Sequence, residues 1–110
     1  ENYYEKELVY QTVIDGRNNL KNEGNYILRD SSNDILLQIP ISTIRNISDG
    51  SIYFLCPSDK KNDAVMPFTP DVNGLQRISK TKKKNTLYTV RISWKSDGKP
   101  YYIEQSYRVE

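Results

Sequence analysis

None of the 110 residues is histidine. That absence removes Ser-His-Asp and Cys-His nucleophile chemistry, imidazole-based zinc sites and the commonest general base. The single cysteine, Cys56, excludes an intrachain disulfide and leaves the redox compartment open. There is no GxGxxG run and no GxxxxGK followed by Ser or Thr, so the usual phosphate-cradling loops are missing. Sixteen basic against fourteen acidic residues leave a net charge of +2, too small to argue for nucleic acid. No run approaches the roughly 20 apolar residues of a membrane span. An acid and base would both have to be carboxylates or tyrosines, so the expectation is a protein that is not an enzyme.

What is present reads as one helix followed by strands. From Tyr3 to about Lys21 apolar residues recur at helical spacing: Tyr3 and Tyr10 to Ile14, Tyr4 and Leu8 close by, Val9 with Val13. Gly16 costs about 1 kcal/mol inside a helix, so the helix is expected to end or fray there. Asn18, Asn19, Asn22 and Gly24 then read as its unravelling into a loop.

After Gly24 the period changes. Tyr26 to Arg29 and Ile35 to Ile39 read as short strands around a turn, Asp30 to Asp34, and Pro40 ends the second or places it at an edge. Ile41 to Ile47 fits either a helical turn or an irregular strand. Asp49-Gly50 signals a turn, and Ser51 to Cys56 a strand buried on both faces. Ala64 to Phe68, with Pro67, reads as an edge strand, and Asn73-Gly74 marks a turn before a further strand, Leu75 to Ile78. Leu87 to Trp94 and Tyr101 to Val109 alternate on either side of Asp97-Gly98, the strongest short-range hairpin signal. About seven short strands with no second helix predict a mainly β chain. Its expected form is an N-terminal α-helix and linker over 1–24, then an immunoglobulin-like antiparallel β-sandwich over 25–110.

Four constellations carry chemistry. Cys56 and Met66, the only sulfur-bearing side chains, sit on neighbouring predicted strands. They are either a pair of soft ligands for Cu(I) or ordinary core residues. Lys80-Thr81-Lys82-Lys83-Lys84 is either a solvated loop or a contact for anionic lipid headgroups. Asp59 and Asp63 stand four apart and read as an acid/base pair, a calcium ligand set or protein-contact residues; calcium needs six to eight oxygens, and turn chemistry explains them better. Nine tyrosines are the compositional oddity. Tyr3, Tyr4 and Tyr10 on the helix and Tyr101 and Tyr102 on the last strand suit either protein contacts or strand packing.

Residue patterns also suggest a family. Tyr3-Tyr4-Glu5-Lys6-Glu7-Leu8, then Tyr10-Gln11 and Ile14-Asp15, resembles the start of the extracytoplasmic domain of FixH proteins. Leu55, Pro57-Ser58-Asp59-Lys60-Lys61 with Asp63, alternate Tyr88, Val90, Ile92 and Trp94, and Asp97-Gly98-Lys99 with Tyr101-Tyr102 extend the resemblance, in order, over nearly the whole chain. Two positions depart: Cys56 stands where the family usually has arginine, and Asn85-Thr86 where a glycine is expected.

The resemblance implies a short N-terminal tail and one transmembrane helix just before the tyrosine pair, then an immunoglobulin-like sandwich on the extracytoplasmic side of a bacterial inner membrane. On that expectation a membrane anchor has been removed ahead of Glu1, and the tyrosine-rich helix is the stalk. The FixGHIS group to which such proteins belong looks like assembly machinery for the cbb-type cytochrome c oxidase. It includes a copper-exporting ATPase and a ferredoxin-like membrane protein. The implied function is oxidase assembly through contacts with membrane assembly proteins or oxidase subunits, with copper supplied nearby. The alternatives are a direct Cu(I)-binding module and a secreted sandwich that binds ligands or cells.

Overall fold

The computed structural model describes residues 3–80, 83 and 85–109, with side chains from Tyr10 onward. Helix α1 runs from Tyr3 to Glu23 without a break at Gly16. Gly16 is the point at which the helix lies closest to the sheet. A Cβ there would stand 2.7 Å from the Tyr102 Cβ and 2.8 Å from its backbone nitrogen. The conformational cost of glycine is thus offset by an approach that no other residue allows. Asn19, expected in a loop, is helical and donates from Nδ2 to the Pro100 carbonyl at 2.9 Å. The helix ends where the Gly24 amide donates to the Leu20 carbonyl at 3.1 Å, with Gly24 at φ +138.

Seven strands follow: β1 (Ile27–Ser31), β2 (Asp34–Gln38), β3 (Ile47–Leu55), β4 (Ala64–Pro67), β5 (Leu75–Ser79), β6 (Leu87–Ser96) and β7 (Lys99–Arg108). They form two antiparallel sheets, ordered β1-β2-β5 and β4-β3-β6-β7. The sheets pack face to face as an immunoglobulin-like sandwich in which the fourth strand pairs with the third. The core is built by alternation. On β6, Tyr88, Val90, Ile92 and Trp94 point inward and are almost wholly buried, meeting Ile35, Leu37, Ile52, Phe54 and Ile78. Full burial of such a side chain contributes about 1.5–3 kcal/mol.

Several boundaries differ from those the sequence suggests. Asp30 and Ser31 extend β1 and Asp34 opens β2, so the turn shrinks to Ser32-Asn33. The ambiguous stretch after Pro40 is a 3-10 turn, Ile41–Thr43, before β3 begins at Ile47. Asp49-Gly50 is not a turn. It lies within β3 as a bulge, where the register against β6 shifts between Ser48 and Ser51 and Asp49 takes φ +53. Nor is Ser51 to Cys56 buried on both faces: Ile52, Phe54 and Cys56 are interior, while Tyr53 is 43% exposed. Helix α1 lies chiefly over the β7 side of this sheet, and Tyr53 on β3 stays open.

The helix expected as a stalk packs its second half on β7 and inserts Leu20 into the core. Among the described residues, no helix is long and apolar enough to cross a membrane.

Candidate functional site

The last hairpin positions the site. Asp97 (φ +51) and Gly98 (φ +80) make the two-residue turn, the positive dihedrals matching the right-handed twist of β6 and β7. This sets the parity of β7, sending Tyr101 inward and Tyr102 outward. Tyr101 is 4% exposed and stacks on Trp94 with centroids 5.5 Å apart, and Trp94 stacks on Phe68 at 4.4 Å. The Trp94 indole donates to the Thr43 carbonyl at 2.7 Å, fixing the stack against the 3-10 turn.

Tyr102 lies beneath α1. Its phenol donates to Glu104 Oε1 at 2.8 Å, and the Arg17 guanidinium sits 5.5 Å from its ring centroid. Glu104 Oε1 also faces Arg17 at 3.4 Å and Arg91 at 3.5 Å, so one carboxylate joins helix, β6 and β7. Burial, with the hydrogen bond to Glu104 and that carboxylate's charge, pushes the Tyr102 phenol up to about 12, against a smaller opposing effect from Arg91 and Arg17.

Two cavities flank these tyrosines. An apolar groove of 340 Å³ opens on the outer face of the sheet between α1 and β6–β7, lined by Thr12, Val13, Ser93, Trp94, Pro100 and Tyr102. At its rim the β3 bulge presents Asp49, whose carboxylate lies 3.6 Å from Lys95. A second, polar cleft of 360 Å³ lies where the end of α1, the 3-10 turn and the hairpin turn converge. Tyr101 reaches both cavities.

Of the residues singled out from sequence, Tyr101 and Tyr102 are brought together here. Tyr10, 69% exposed, stands about one turn before the groove residues Thr12 and Val13. The side chains of Tyr3 and Tyr4 lie outside the described residues. Asp59 and Asp63 lie in the β3–β4 connection and act on backbone. Asp59 accepts from the Lys61 amide at 3.0 Å, and Asp63 from the Cys56 amide at 2.7 Å. Lys80 is drawn to Asp30 at 3.5 Å. Lys83 folds back over the Phe54 ring at 4.8 Å and donates to the Ser79 carbonyl. These two lysines are therefore not the freely solvated loop the run suggests, and Thr81, Lys82 and Lys84 lie outside the described residues.

Cys56 and Met66 do not fit a shared copper ion. The register pairs Ile52 with Met66 and Phe54 with Ala64, which places Met66 four residues from Cys56 along β3, about 13 Å. Metal–sulfur bonds are only about 2.3 Å. Cys56 is buried, with Ser58 Oγ 3.4 Å from its sulfur. Among the described residues no three His, Cys, Asp or Glu side chains cluster as a metal site.

Sequence reasoning missed Gly16, Arg17, Glu104 and the polar cleft. The spacing of Gly16 on the apolar side of α1 was a usable signal, because a glycine amid such a stripe marks a close approach as readily as a helix end. The cleft had none, since its residues come from three separate segments. Comparison with protein-family models, curated proteins and solved structures finds no match.

Proposed function

We propose that this chain is the extracytoplasmic domain of a FixH-type accessory protein that assists assembly of the cbb-type cytochrome c oxidase by protein contact rather than catalysis. The observation that carries this reading is the order of FixH-like motifs over nearly the whole chain. An antiparallel β-sandwich is also the fold the resemblance implies. The contact surface on this reading is the apolar groove beside Tyr102, with Tyr10 on the adjoining helix face. Such grooves receive an apolar side chain of a partner, with rim charges setting orientation. The partners are membrane assembly proteins or oxidase subunits, and the domain is held at the periplasmic face of the inner membrane by a preceding helix. Copper belongs to the neighbouring machinery.

The test is a deletion strain assayed for cbb-oxidase content and oxygen uptake at low oxygen, with and without added copper. Loss of oxidase is expected, restored by the full-length gene and not by a Val13→Lys, Ser93→Arg version whose domain still folds. Rescue of the deletion by copper alone places the protein on the metal-delivery side. Unchanged oxidase in the deletion strain overturns the reading.

A further inference from the structure

The polar cleft is a built cavity that the oxidase reading does not use. Its walls are held from several directions. The Ser96 hydroxyl accepts from the Arg45 amide at 2.7 Å and donates to the Arg45 carbonyl at 3.1 Å, while the Asp97 amide donates to that same carbonyl at 2.7 Å. Asp97 also accepts from Asn46 Nδ2 at 2.7 Å. At the floor, Tyr101 is 4% exposed, its ring fixed in the Trp94 stack, and its phenol has no hydrogen-bond partner among the described residues. Tyr101 lines the cleft.

The charges around it are of both signs. Glu23 is the last residue of α1, where the helix dipole adds partial negative charge, and Asp97 stands on the hairpin turn opposite. Both carboxylates act on the phenol, which burial first and then their charges push above its ordinary value. Arg45 and Lys99, with the Ser42 hydroxyl, supply the positive side. Neither cation forms an ion pair among the described residues. The volume of 360 Å³ is within the range of small-molecule sites.

We propose that this cleft binds a small amphoteric ligand, a primary ammonium and an acidic group a few bonds apart. Its ammonium lies among Glu23, Asp97 and the Tyr101 phenol, and its acid group on Arg45, Lys99 and Ser42. A purely anionic ligand would meet the two carboxylates, and a purely cationic one the guanidinium and ammonium. A ligand carrying both signs meets each charge of the cleft with one of opposite sign, whereas a ligand of one sign is repelled by half of them. The chemistry is shared by free phosphoethanolamine and by the phosphoethanolamine headgroup of a lipid.

The test uses the full chain, titrated with O-phosphoethanolamine and followed by amide chemical shifts. Saturable shifts are expected at Glu23, Ser42–Arg45 and Ser96–Tyr101. Ethylamine and inorganic phosphate, each carrying one half of the chemistry, are expected to bind at least tenfold more weakly. Glu23→Gln and Arg45→Gln, both at the rim, are each expected to weaken binding about tenfold. Tyr101→Phe, which keeps the stack, is expected to weaken it severalfold. Co-sedimentation with phosphatidylethanolamine vesicles but not phosphatidylcholine vesicles identifies the lipid as source; saturation by the free compound without co-sedimentation identifies the soluble one. Absence of saturable shifts together with absence of co-sedimentation overturns the proposal. So does equal binding of either half-ligand, or rim variants that bind like the wild type. Oxidase content in the deletion strain does not bear on these outcomes, so this inference and the functional reading fail separately.

Discussion

Gly74 is the most constrained single position. It has φ +78, and a Cβ there would lie 2.1 Å from the Ile39 carbonyl oxygen, to which its chain is bound because the Ile39 amide donates to the Gly74 carbonyl at 2.8 Å. Gly74→Ala combines a left-handed dihedral with a backbone clash, each costing about 1–3 kcal/mol. A loss of about 3 kcal/mol or more in unfolding free energy is expected, read from the fall in the urea midpoint. Tyr102 makes a different prediction. Its phenol is raised to about 12 in the folded chain, above its value of about 10 in an unfolded one. The unfolded state therefore releases this proton first. The stabilisation is complete below about pH 10 and is lost as pH rises through about 12. Because the ring is partly solvated, about 1–2 kcal/mol is expected rather than the full two-unit difference. Denaturant midpoints from pH 8 to 12 should fall in the wild type, and more shallowly in Tyr102→Phe.

At the scale of elements, the helix–sheet contact turns on Gly16. Replacing a mid-helix glycine by alanine gains about 1 kcal/mol in helix propensity. Here the added methyl would sit 2.7 Å from the Tyr102 Cβ and 2.9 Å from the Tyr101 carbonyl carbon, and overpacking of that kind costs about 1–3 kcal/mol. Packing wins. Gly16→Ala is expected to destabilise by about 1 kcal/mol in thermal unfolding while leaving far-ultraviolet helicity intact. A gain in stability would show that the helix shifts on the sheet without loss. The same contact explains why a fray was expected at a point where the helix continues: intrinsic propensity registers what glycine costs the helix, and Tyr102, 86 residues later in the chain, is invisible to it. The β3 bulge is a parallel case. Asp-Gly with a positive dihedral suits a turn or a bulge equally, and only the pairing of β3 with β6 selects the bulge.

Across the whole molecule, both proposed binding surfaces lie at one end of the hairpin β6–β7 and the helix on it. The groove faces outward beneath α1, and the polar cleft opens beyond the helix terminus, with Tyr101 reaching both. The prediction at this scale separates them. Val13→Lys with Ser93→Arg should remove oxidase support in complementation without altering phosphoethanolamine binding. Glu23→Gln with Arg45→Gln should do the reverse.

Much of the fold was legible along the chain. Leu87 to Trp94 and Tyr101 to Val109 alternate around Asp-Gly, and alternation and turn chemistry are local properties that tertiary contacts only reinforce. The sequence by itself therefore determined the helix followed by seven strands, the terminal hairpin and the lack of imidazole chemistry. The tertiary structure alone decided that Gly16 is a contact and not a helix end, that Asp49-Gly50 is a bulge and that Cys56 stands apart from Met66. It also decided that Glu23, Arg45, Asp97 and Lys99 share one cleft. The physical reason is common to all four. Each depends on which residues distant in sequence become neighbours, and that follows from how the helix and the strands not joined by tight turns come together, which no local pattern of residues encodes.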